Sequence, residues 1–140
     1  MFREVLKHER KGIIFITFCA TLFSFLLARG FVYATHQGVH LIVSGYTIHH
    51  FVYGIVLVSI AGGAALIFKG YEDKLAVIYG LGLGLIFDEM GFIISGGNYW
   101  NRLSYDLIII FSLVIINVLF FEEFWKKFRK KLKSYRKVHR

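Results

Sequence analysis

Proline is missing from the whole chain of 140 residues, and a single cysteine, Cys19, leaves no partner for an intramolecular disulfide. Without proline no helix is obliged to kink, and no Pro/Gly/Ser-rich stretch marks a linker to a second domain. Acidic residues are scarce as well: nine Asp and Glu stand against 17 Lys and Arg, a formal charge of +8. What fills the chain instead is apolar. Hydrophobic residues make up 56% of it and the mean hydropathy is +0.59, in runs too long and too frequent for one soluble core.

Four segments have the roughly 20 residues a helix needs to cross about 30 Å of hydrocarbon: residues 12–35, 47–68, 75–95 and 105–125. The expected fold is an all-α membrane protein of one domain over residues 1–140, a four-transmembrane-helix bundle with a basic amphipathic tail at 126–140. A cleaved signal peptide is the rival explanation of the first segment. Its apolar run is long for that purpose and Arg29 lies near its end.

Basic residues set the expected orientation, because Lys and Arg near span ends are retained on the cytoplasmic side. Arg3, Lys7, Arg10 and Lys11 precede span one, Lys69 and Lys74 join spans two and three, and the tail carries nine Lys or Arg. The loop at 36–46 has none and the loop at 96–104 has only Arg102. Both termini are therefore expected in the cytoplasm, in a multi-pass protein of the cytoplasmic membrane. The tail repeats Phe124, Phe128, Leu132 and Tyr135 at helical spacing, so its expected partners are anionic lipid headgroups of the bilayer. No fold motif for nucleic acid accompanies the charge. A bundle this small leaves room for a homo-oligomer to complete a site.

Inside span three Asp88 and Glu89 stand side by side, and two carboxylates in hydrocarbon cost several kcal/mol unless something pairs with, protonates or ligates them. Their candidate partners are Arg29, His49, His50, Arg102 and Asp106, with His36 and His40 in the loop before span two. Alternating span directions put all of these in the outer half of the membrane. Helical phase groups Asp88 with Gly84, Gly91 and Ser95, and His50 with Thr47, Gly54 and Ala61. Thr17, Thr21, Ser24 and Ala28 follow one face of span one. Asp106 falls within about 20° of Asn117 on span four at about 100° per residue. These four stripes are expected to form the bundle interior. Gly80, Gly82 and Gly84, with Gly62 and Gly63, suit close helix packing, since a phosphate loop needs a strand and a helix N-terminus.

Imidazole with carboxylate is a ligand set for zinc, iron or manganese, which makes His49, His50, Asp88 and Glu89 candidate ligands and Asp88, Glu89 and His50 candidate catalytic groups. Against that, adjacent histidines on a helix diverge by about 100°. In the plain alternative His50 hydrogen-bonds Asp88 or Glu89 while His49 faces water or headgroups. Arg29 either snorkels to headgroups or pairs inward, and Arg102 can pair with Asp106 along one helix. Tyr99, Trp100 and Tyr105 suit an outer aromatic belt. Between spans one and two, residues 41–46 suit a short hairpin turning at Ser44 and Gly45 or a segment dipping into the interface, and either would fold His36 and His40 over the site.

The segments IHHFVYG at 48–54, GLGLIFDE at 82–89, NYW at 98–100 and RLSYD at 102–106 together resemble small prokaryotic four-span integral membrane proteins. That resemblance implies the four-span fold and no activity. The pattern departs from seven-span intramembrane hydrolases of the ceramidase type in span number and histidine spacing. Three functions remain open on the sequence. The first is a metal-dependent enzyme acting on lipid or a lipid-linked substrate, the second a non-catalytic ligand- or lipid-binding or assembly protein, and the third a proton-coupled transporter or channel subunit.

Overall fold

The computed structural model describes residues 2–35, 41–43, 46–98, 101–121 and 127–128, with side chains from residue 10 in the first segment and from residue 49 after the strands. Helix α1 runs Phe2–Thr35, strands β1 (Leu41–Val43) and β2 (Tyr46–Ile48) follow, and then come α2 (His50–Ile67), α3 (Glu72–Ile94) and α4 (Leu103–Phe120). Four helical stretches are long and apolar enough to cross a membrane: Arg10–Thr35, His50–Ile67, Glu72–Ile94 and Leu103–Phe120. The shortest, at 18 residues, is about 27 Å long, close to the hydrocarbon thickness.

The strands pair antiparallel with Val43 opposite Tyr46 and Leu41 opposite Ile48, so the expected hairpin is present, its Ser44–Gly45 tip lying outside the described residues. His36, His40, Tyr99, Trp100 and the tail from 129 to 140 also lie outside them. Helix α3 ends on a glycine motif. The Gly97 N–H reaches Phe92 O at 2.9 Å and the Gly96 N–H reaches Ile93 O at 3.3 Å, with Gly96 at φ +70°, a left-handed conformation that glycine adopts freely.

The helices are not arranged as four equal walls around one interior. Helix α3 is central: α1 packs along one side of it, α2 along another, and α4 leans on both α3 and α1. Helix α2 accordingly buries only Gly54 and Ala61. The largest side chains with no exposed surface are Glu89, Thr21, Asp88 and Ser104, all polar, while Leu66, Ile67, Leu113 and their like point outward. That distribution suits a lipid solvent, in which burying apolar side chains gives little drive and close contact with polar pairing gives more.

Glycine makes the close contact possible. A Cβ at Gly84 would lie 2.5 Å from Thr21 O and 2.8 Å from Phe25 N, and one at Gly80 would lie 2.5 Å from Thr17 O. Both therefore bring α3 against the α1 backbone. Gly82 and Gly54 face each other across α3 and α2, each within 2.8 Å of the other's carbonyl by the same measure. Gly63 and Gly62, expected to pack likewise, do not: nothing lies within 4 Å at Gly63 and only a Tyr79 ring atom at 3.8 Å at Gly62. Span four also departs from expectation. Its buried residues are Ser104, Ile108 and Leu119, whereas Asp106 is exposed, because two residues past Ser104 places it about 160° around the helix.

These contacts give a paired expectation. Gly84→Ala gains about 1 kcal/mol of helix propensity but overpacks against backbone that cannot yield, so it should destabilise by about 1–3 kcal/mol net. Gly63→Ala should be neutral or slightly stabilising. Reversible unfolding in mixed detergent micelles compares the two, and equal effects would refute the packing assignment.

Candidate functional site

Arg29 lies near the end of α1, the histidines at the start of α2, the carboxylates late in α3 and Ser104 at the start of α4, so antiparallel neighbours bring all of them to one depth near the hairpin. Arg29 is 4% exposed, and its Nε sits 2.7 Å from Asp88 Oδ1 as an ion pair. Its Nη2 donates to the Asp88 backbone carbonyl at 2.6 Å. The guanidinium carbon lies 5.1 Å from the Tyr105 ring centroid and 5.8 Å from that of Phe25, within cation–π range. Arg29 thus pairs inward instead of snorkelling.

Asp88 and Glu89 are both fully buried. Adjacent residues on a helix diverge by about 100°, which on a one-sided helix would expose one of them. The central position of α3 covers both. Asp88 Oδ2 lies 2.8 Å from His50 Nε2, as the phase of α2 had suggested. Glu89 Oε1 lies 2.9 Å from His49 Nδ1 and 3.4 Å from His50 Nδ1.

His49 therefore does not face headgroups or water alone, and both histidines reach one carboxylate oxygen. The divergence expected of neighbours on a helix does not apply. His49 is the N-cap of α2, with extended backbone at φ −78° and ψ 150°, and only His50 is helical. Its own side chain does not cap the helix. Glu89 does so from α3: its Oε2 accepts the Phe51 N–H at 2.8 Å, and the carboxylate meets the positive end of the helix dipole.

On the far side Ser104 holds α3 to α4. Its hydroxyl donates to the Asp88 carbonyl at 2.8 Å and accepts the Gly91 N–H at 2.9 Å. A Cβ at Gly91 would lie 2.5 Å from that hydroxyl oxygen, so only glycine admits it. Tyr105 OH meets Tyr33 OH at 3.0 Å. Sequence reasoning passed over Ser104 and took Tyr105 as a belt residue. The signal that could have found them was their place at the start of span four, at the depth of Asp88.

Arg102 and Asp106 are both exposed and take no place in the cluster, and the Asp106 amide bonds the Arg102 carbonyl as an ordinary helix start. Among the described residues no group of three or more His, Cys, Asp or Glu could hold a metal ion. The reason is visible in the contacts: each carboxylate oxygen already faces a guanidinium, an imidazole nitrogen or a backbone N–H. The zinc, iron or manganese expectation gains no support from this geometry.

Arg29 is set against two buried carboxylates, and the two imidazoles complete the cluster. His50 has a carboxylate oxygen beside each ring nitrogen, Asp88 at 2.8 Å from Nε2 and Glu89 at 3.4 Å from Nδ1. The His49 side chain is 30% exposed, against 12% for His50. Set beside known protein families, curated proteins and solved structures, the chain matches none.

Removing one member of a buried ion pair strands the other. Arg29→Gln should therefore destabilise the protein by about 3–5 kcal/mol, while Arg29→Gln with Asp88→Asn should cost clearly less than the sum of the single changes. Detergent unfolding of the four proteins supplies the cycle. Strict additivity would mean that the two groups do not act as a pair.

Proposed function

We propose that this is a small multi-pass protein of the cytoplasmic membrane, with both termini cytoplasmic, whose His/carboxylate cluster is an acid–base site opening toward the outer leaflet. The ligand is a polar group arriving at that leaflet, a lipid headgroup or a lipid-linked molecule with an acidic O–H or N–H. The observation that carries the reading is the chain of contacts from His49 through Glu89 and His50 to Asp88, with hydrogen bonds of 2.9 and 2.8 Å at its ends and a 3.4 Å charge contact between them, from a partly exposed imidazole to a fully buried carboxylate.

In this reading His49 is the proton-exchanging base. Glu89 orients it through Nδ1, the arrangement in which a carboxylate fixes the tautomer of a working imidazole and stabilises its charged form. His50, Asp88 and Arg29 do not touch the ligand. They balance the charge of Glu89 and hold it in place.

Exchange with one face of the membrane fits better than conduction across it. Beyond Asp88 the run meets Arg29, which does not give up its proton. The next hydroxyls bond helix carbonyls: Thr21 to Thr17 O at 2.8 Å, Thr17 to Ile13 O at 2.9 Å, and Ser24 to Leu81 O at 2.8 Å. The orientation rests on the basic residues flanking spans one and three, and a reporter fused at either terminus tests it.

The deciding measurement is ¹⁵N NMR of histidine-labelled protein in micelles, with diethyl pyrocarbonate modification beside it. His49 should hold the Nδ1–H tautomer that Glu89 fixes, and the reagent should acylate His49, the more exposed ring, before His50. Glu89→Gln should mix the tautomers and slow acylation. A wild-type His49 protonated on Nε2 alone would overturn the assignment. So would stoichiometric zinc, iron or manganese in purified protein that is lost on Glu89→Gln.

A further inference from the structure

At the opposite end of the bundle from the hairpin, a cleft of about 1080 Å³ opens between the first turns of the α1 span, the α2–α3 turn and the end of α4. Arg10 and Lys11 come from α1, and both carboxylates, Glu72 and Asp73, come from the start of α3. A third cation, Lys74 of α3, holds its ammonium over the Tyr71 ring at 5.6 Å, and Lys11 spends one of its three N–H donors on Leu119 O at 3.2 Å. Gly12 is also on the lining, with nothing within 4 Å of where a Cβ would be.

A second cavity of about 450 Å³, lined by apolar side chains and Cys19, shares Phe15 and Ile16 with this cleft. It continues along the α1–α3 seam past Ala20 and Val77 to Phe23 and Leu81. From Phe15 to Phe23 a helix rises about 12 Å, within the roughly 15 Å of hydrocarbon in one leaflet. A charged mouth at the membrane surface therefore leads directly into an apolar groove one leaflet deep.

We propose that this cleft is a specific phospholipid site. The headgroup phosphate lies with Arg10 and Lys11, a primary ammonium lies with Glu72 and Asp73, and an acyl chain follows the groove past Cys19. Charge decides the headgroup. A purely anionic one would set a second oxygen-rich group against Glu72 and Asp73, and a choline has no N–H to donate to them. A phosphoethanolamine headgroup matches both signs.

The chain's single cysteine supplies the readout, since Cys19 is exposed and lies on the groove wall. Delipidated full-length protein in detergent is offered phosphatidylethanolamine, phosphatidylglycerol or phosphatidylcholine with identical acyl chains, and separately glycerophosphoethanolamine and inorganic phosphate. Native mass spectrometry should find phosphatidylethanolamine retained at least about tenfold better than the other two lipids, the range expected of charge-assisted hydrogen bonds. The same lipid should slow maleimide labelling of Cys19. Arg10→Gln and Asp73→Asn, both at exposed positions, should each erase the preference with helicity and melting unchanged. Equal retention of the three lipids, a preference that survives both substitutions, or unprotected Cys19 in the lipid-bound wild type would overturn the proposal. Competition by phosphate or glycerophosphoethanolamine as strong as by the lipid would mark a soluble-anion site and overturn it equally.

Discussion

The contact between Arg29 and Asp88 governs how this chain can fold in a membrane. A guanidinium and a carboxylate placed separately in hydrocarbon would each be strongly unfavourable, and together at 2.7 Å they relieve much of that cost. The pairing demands that α1 and α3 approach closely at that depth, and small residues along the seam allow it. Gly84 sits one turn from Asp88 and lets α3 touch the α1 backbone at Thr21 and Phe25. Arg29 spends its remaining capacity locally, on the Asp88 carbonyl and the faces of Phe25 and Tyr105. The aromatic residues at this depth thus contribute to the electrostatics as well as to the apolar boundary.

Much of this was legible in the sequence, and the exceptions have specific causes. Span length, basic flanks and alternating direction located the helices and collected the ionisable residues at one depth. Helical phase and depth together pointed His50 at Asp88 or Glu89 and grouped it with Gly54 and Ala61, which are buried. Phase left Glu89 open because it assigns each helix one inner face, and α3 has neighbours on three sides. Phase also misplaced Asp106, which is exposed. His49 was missed for a different reason: periodicity describes residues inside a helix, and an N-cap in extended conformation lies off that lattice. Ser104 carried no charge to draw notice, and Asp88 needed it at its backbone rather than its side chain.

Glu89 has a double attachment that ties the chemistry of the cluster to its shape. One oxygen faces the two imidazoles and the other holds the first turn of α2 through the Phe51 N–H. The hairpin joins α2 directly through His49. Loss of the Glu89 carboxylate would therefore remove its contacts with the imidazoles and the N-terminal bond of α2 together.

The two ends of the bundle use different physics for the same task. Near the hairpin the helices are joined by charge, with Arg29 and two imidazoles set against two buried carboxylates. Toward the other end no such cluster is described. There α1 and α3 rely on glycine contact and on the Ser24 hydroxyl donating to Leu81 O at 2.8 Å, and α1 is tied to α4 by the Lys11 ammonium on Leu119 O at 3.2 Å. Of the members of the cluster near the hairpin, His49 is the most exposed, at 30% of its side chain against 12% for His50, while Arg29, Asp88 and Glu89 are buried. Packing of α1, α2 and α4 around α3 thus closes the charged groups off from hydrocarbon and leaves one imidazole at their edge, where its polar atoms are least costly to leave near water or headgroups.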